Sequence, residues 1–152
     1  VFNALKVAET LKDGLIVFSC REEHSGGTVP FLTKYMYEKW QIKQTLISDI
    51  TWVTDGVFPG EGVAISMRDS GLPRKSYLDK IIGLAEISGI KYQLEVEASG
   101  GSDALELQSS PYPIDWCFIG AAEENVHSPY ETVNKDDIAS MVNLYKFLMQ
   151  EL

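Results

Sequence analysis

A chain of 152 residues, 45% apolar and 23% charged, is large enough for one domain with a sizeable core, or for a large piece of a bigger one. Its net charge of −9 argues against nucleic acid and against an anionic membrane surface as partners. No apolar run approaches the roughly 20 residues that span a bilayer. The opening VFNALKVAET lacks the basic start and cleavage site of a signal peptide, so a cytoplasmic protein is expected.

Phe2, Leu5, Ala8 and Leu11 recur at helical spacing up to a break at Asp13-Gly14. LIVFSC, residues 15–20, reads as a short buried strand that runs into Arg21, Glu22, Glu23 and His24. Pro30 opens a helix through FLTKYMYEKW with Phe31, Tyr35 and Met36 on one face. TLISDIT, from Thr45, is a second strand, followed by a Gly-, Pro- and acid-rich loop through Gly62; VAISM is a third strand. A helix over 75–88 stops at Gly89. YQLEVEA alternates apolar and polar positions, as a strand with one exposed face does. GGSD leads into a short helix, ALELQ, and IDWCFIG is a further buried strand, followed by the loop AAEENVHSP. Asn134 caps the last helix, whose buried stripe is Ile138, Met141, Val142, Tyr145 and Leu148. Cys20 and Cys117 lie in apolar runs and read as buried free thiols.

Strands alternating with helices imply a sheet covered on both faces, and in such sheets ligands gather beyond the carboxyl ends of the strands. Three predicted strands are followed by residues of metal-ligand type: Glu22 and Glu23, then Asp49, then His127. Carboxylate and imidazole without thiolate suit zinc, cobalt or manganese with an open coordination position. A bound metal lowers the pKa of its water, and a nearby carboxylate can take the proton. Successive side chains point different ways, so two adjacent glutamates can divide these tasks.

REEHSGG, SDIT, GGSDA and HSPYE, in this order, resemble the deblocking and glutamyl aminopeptidases of the tetrahedral (TET) type, a family of co-catalytic metallopeptidases. The resemblance implies a three-layer α/β/α sandwich with a mixed, mostly parallel central sheet. It implies peptide substrates, two divalent metal ions (zinc, with cobalt or manganese as alternatives) and a homo-oligomer. Glu22 would be the general base, and Glu23, Asp49 and His127 metal ligands, with Glu23 and His127 on one ion and Asp49 on the other. Two departures stand out. His24-Ser25 occupy the place of the family's Val-Gly, and no counterpart of the family's His-x-Asp histidine or bridging aspartate precedes Glu22. The chain is therefore expected to be a fragment, residues 1–152 forming the C-terminal part of a catalytic domain, without the inserted dimerisation domain. Alone it is expected to lack peptidase activity and to bind at most one metal weakly.

Each candidate also has a plainer reading. His127 could stack near Pro129, and Asp49 could bond the Thr51 amide in a turn. His24 reads as solvent-facing or as a support to the ligands, and Glu123 and Glu124 as a solvated loop or part of a specificity pocket. Asp103 is a candidate for substrate binding, or it and Ser102 only cap a helix. The 54–62 loop reads as a lid or simply as a long turn. Arg68 and Arg74 could meet an acidic substrate or pair with Asp69 or Asp79. Two rival functions remain: a dinuclear metallo-carboxypeptidase or deacylase, favoured by GGSDA, and an inactive homologue serving as a structural or binding subunit.

Overall fold

One mixed sheet organises the computed structural model, which describes residues 1–24 and 27–152. Its strands are β1 (Gln44–Trp52), β2 (Val63–Arg68), β3 (Tyr92–Val96), β4 (Asp115–Glu124) and the short β5 (Thr132–Val133). The order is β1-β4-β2-β3, with β5 paired to the end of β4. The long ladders, β1 with β4 and β2 with β3, are parallel, whereas β4 meets β2 and β5 antiparallel. β4 is buried along nearly its whole length, as expected for a strand covered on both faces.

Helices α1 (Phe2–Ala8), α2 (Val29–Trp40), α3 (Lys75–Ser88), α4 (Ala104–Ser109) and α5 (Lys135–Glu151) supply the two covers. On one face Cys117, Ile119 and Ala121 of β4 pack with Val7 of α1, Ile81 of α3 and Leu144 of α5. On the other, Trp116 and Phe118 pack with Ile47 of β1, Val29 of α2 and Leu107 of α4. The three-layer α/β expectation therefore holds, and the alternation of β4 side chains builds both cores. Gly89, at φ 65°, ends α3, and the Asn134 side chain accepts the Asp136 amide at 2.8 Å to start α5.

Several local expectations are corrected. Residues 15–20 form no strand: they join none of the described strands, and Val17, Phe18 and Cys20 are exposed. An apolar run becomes a strand only where a partner satisfies its backbone, and none of the described strands borders it. Of the two cysteines only Cys117 is buried, and burial pushes its thiol up to about 12. In α1 the inward residue is Val7, while Phe2 and Leu5 are exposed. In α2 the buried side is Val29, Thr33 and Met36. Phe31 and Tyr35 lie outside, stacked on each other, and Trp40 packs edge-on to Tyr35.

The polarity of β3 is inverted relative to its sequence pattern. Leu94 and Val96 are exposed and Glu95 is buried, with only 1% of its surface accessible. The cause lies in the middle strands. Val63 and Ile65 point to the α3/α5 core, so Ala64 faces the opposite way, where it pairs with Gly120. These small residues leave room on that face for Thr51 of β1 to donate a hydrogen bond across the sheet to the Glu95 carboxylate.

Candidate active site

On the α2/α4 side of the sheet lies a cavity of about 770 Å³, lined by Glu22, Glu23, Asp49, Asp103 and His127 among others. All five residues singled out from the sequence thus meet in one place. They arrive there by a different route from the expected strand ends. Glu22 and Glu23 stand on a single 3-10 turn after a segment without regular secondary structure, not after a strand. Asp49 sits inside β1, opposite Gly120, with three strand residues still to follow. Of the three predicted strand-end positions only that of His127 lies beyond a strand, and its loop begins later than predicted, because β4 continues through Glu124.

Local geometry fixes each side chain. The Glu22–Glu23 turn is clipped at its base: the Thr28 amide donates to the Cys20 carbonyl, and the Cys20 amide to the Thr28 hydroxyl. A Cβ at Gly27 would come within 2.3 Å of the Cys20 carbonyl oxygen, so glycine is required for this closure. The Ser19 hydroxyl donates to Asp103 at 2.5 Å, tying the segment to the mouth of α4. Asp49 accepts the amide of its neighbour Ile50, not that of Thr51. The hairpin between β4 and β5 carries His127, whose amide donates to Glu131 at 2.8 Å and whose ring meets Trp52 edge-on. Arg21 and His127 both adopt left-handed backbone, with φ of 68° and 61°. Such non-glycine strain persists only where its surroundings over-determine it, and it collects at functional sites.

The electrostatics are those of acids gathered in one partly desolvated place. Glu22 is pushed above the usual carboxylate range, first by burial and then by Asp49, Glu23 and Asp103. Asp49 opens onto the cavity, yet the surrounding walls desolvate it and raise it too, reinforced by Glu23 and Asp103. His127 Nε2 lies 3.3 Å from Glu23 Oε2, so an imidazole and a carboxylate already adjoin. This pair fits a divalent metal in donor type. Among the described residues, however, no three His, Cys, Asp or Glu side chains are grouped closely enough to hold a metal ion.

Other expectations sort as follows. Glu123 is not a solvated loop residue: it belongs to β4, is 9% exposed, and is raised first by burial and then by Glu131 and Asp49. Glu124 is exposed. Arg74 pairs with Asp115, while Asp79 takes Lys75. The departure at Ser25 lies outside the described residues.

Sequence reasoning missed a second acidic group in the same cavity: Asp69, Glu95 and Glu97. Asp69 accepts the Gly71 amide and the Ser102 hydroxyl. Glu97 is 6% exposed and accepts the amides of Ser99 and Gly100. Glu95 lies in β3 and Glu97 just past its end, and this spacing of two acids, two residues apart, was the available signal. Reading Leu94 and Val96 as the buried side concealed it.

The family model for M42 glutamyl aminopeptidases matches residues 1–144. An aminopeptidase of the archaeon Desulfurococcus kamchatkensis has a similar structure, with a TM-score of 0.84 at 22% identity over 99% of this chain and 46% of that one. The TET1 peptidase of Pyrococcus horikoshii, which can assemble into a tetrahedron or a large octahedral shell, gives 0.73 at 23% identity over 89% and 40%. An M18-family aminopeptidase of Thermotoga maritima gives 0.78 at 17% identity over 99% and 44%. The chain thus spans less than half the length of each. No curated protein matches it. No helix among the described residues is long and apolar enough to cross a membrane.

Proposed function

We propose a function from one premise, that this chain belongs to the M42 glutamyl aminopeptidase family: it supplies the general base and part of the metal-ligand set of a metal-dependent aminopeptidase. The observation that carries this reading is the meeting of Glu22, Glu23, Asp49 and His127 on one cavity. Glu23 and His127, already adjacent, would hold one divalent ion, and Asp49 would serve a second, with zinc, cobalt or manganese compatible with these donors. The bridging aspartate and a further histidine implied by the family resemblance would come from another segment of the complete polypeptide.

When bound, the metals would polarise the scissile carbonyl and make the attacking water more acidic. Glu22 takes a proton from that water and delivers it to the leaving amine, for which its raised affinity for protons is suited. Clipping of its turn at Cys20 and Thr28 holds its carboxylate in place during the transfer. Assembly into a homo-oligomer is part of the proposal, by analogy with the shells of the Pyrococcus peptidase.

The test is release of amino acids from a mixed peptide set by the complete polypeptide with added zinc. Chelator-sensitive release from the N-terminus is expected. Release from the C-terminus would favour the carboxypeptidase reading, and absence of any release would favour an inactive homologue.

A further inference from the structure

Ten acidic side chains line the cavity, and among the described residues lining it there is no lysine or arginine. Four of the ten are accounted for by the chemistry above or by its fastening to Ser19. Asp69, Glu95 and Glu97 are not. Most of their acceptor capacity is nevertheless filled from within: Asp69 by Gly71 and Ser102, Glu95 by Thr51, and one oxygen of Glu97 by two amides. The remaining oxygen, Glu97 Oε2, is buried without any hydrogen-bond partner, and it is the one such carboxylate oxygen among the described residues. A buried acceptor left unpaired is costly, and Glu97 borders the cavity, from which a donor could reach it.

A single free acceptor does not suit a divalent cation, which needs several protein ligands. It suits one charged N–H donor on an organic group. The loop after β3 holds this carboxylate in place. A Cβ at Gly100 would approach the Glu97 Cγ to 2.7 Å, so glycine there lets the glutamate fold back against its own loop. Leu105 and Phe118 line the same cavity and offer apolar surface to the aliphatic stem of a long side chain.

We propose that Glu97 accepts the charged side chain of a substrate's N-terminal residue, which makes peptides beginning with lysine or arginine the preferred class. This rests on the aminopeptidase reading, and its test is separable from that reading because it needs no turnover. Lysinamide, norleucinamide and glutamic acid α-amide all carry the same α-ammonium, and their side chains are respectively cationic, neutral and anionic. Their binding to the complete polypeptide is measured by calorimetry in chelator, with amide chemical shifts of Ser99 and Gly100 as a local report. Lysinamide is expected to bind about tenfold tighter than norleucinamide, with the anionic amide weakest, and to move both amide signals. In Glu97→Gln the preference for lysinamide should vanish while norleucinamide binding stays unchanged.

Equal binding of lysinamide and norleucinamide, or no binding of lysinamide, would overturn the proposal. So would an equal loss of both in the variant, since Glu97 would then be reading the α-ammonium. If Glu97→Gln does not fold, the order of the three amides on the unaltered protein decides the matter. Failure of the metallopeptidase reading would appear separately, as absence of zinc binding in the same calorimeter.

Discussion

At the residue scale the two adjacent glutamates carry different work. Glu22 is the more buried of the two, and burial first and then Asp49 raise it above the usual carboxylate range. Glu23 instead touches the imidazole of His127. Glu22→Gln keeps the shape and cannot accept a proton, so peptide hydrolysis by the complete polypeptide should fall about 100-fold or more, read as kcat on an N-terminal lysyl substrate. A fall confined to KM would assign Glu22 to substrate binding instead. Asp103 has an internal partner in the Ser19 hydroxyl, so Asp103→Asn should loosen the glutamate turn before it touches substrate affinity. These residues were legible because each stands in a short motif. The acceptor at Glu97 was hidden, since a glutamate in a strand normally faces water.

At the element scale, the final helix shows what a cap and a clamp each contribute. Asn134 accepts one amide at the start of α5, and Asn134→Ala should cost about 1 kcal/mol in urea unfolding, with catalysis unchanged. Asp137 sits in the first turn of the same helix, where the dipole favours negative charge. Its carboxylate is in fact buried and accepts the amides of Gly60 and Gly62, at 2.6 and 2.8 Å, from the loop before β2. Asp137→Ala leaves both donors unpaired, so it should cost about 3 kcal/mol, clearly more than the cap. An equal cost for the two would mean that the loop finds other acceptors. The helices and central strands were readable because periodicity and caps are local signals. Residues 15–20 and β3 were misread because pairing partners and the small residues of neighbouring strands decide their fate, and neither lies nearby in sequence.

Glu95, on that inverted strand, makes a pH prediction. Burial raises it above the ordinary carboxylate range despite the Thr51 hydrogen bond. The folded protein therefore holds this proton to higher pH than the unfolded chain does. Its contribution is full below the unfolded pKa of about 4.3 and is lost as pH rises through the folded value. Glu95→Gln removes the titration while keeping an acceptor for Thr51. The variant should gain stability relative to the parent between pH 4 and pH 8, read from urea midpoints. A gain that is the same at both pH values would contradict it.

At the scale of the whole molecule, a net charge of −9 is concentrated where it is least comfortable, with ten acids around one cavity. Like charges gathered in a partly desolvated space oppose the folded state unless cations join them. The central claim is that Glu23, Asp49 and His127 accept divalent metal while Glu22 stays free for the proton. The most direct measurement is a zinc titration of the complete polypeptide, of Glu22→Gln and of Glu23→Gln, by calorimetry at one pH. The account predicts unchanged affinity in Glu22→Gln and a loss of about tenfold or more in Glu23→Gln. A metal-poor Glu22→Gln beside an intact Glu23→Gln would reverse the two roles, and a parent protein that binds no zinc would contradict the account outright.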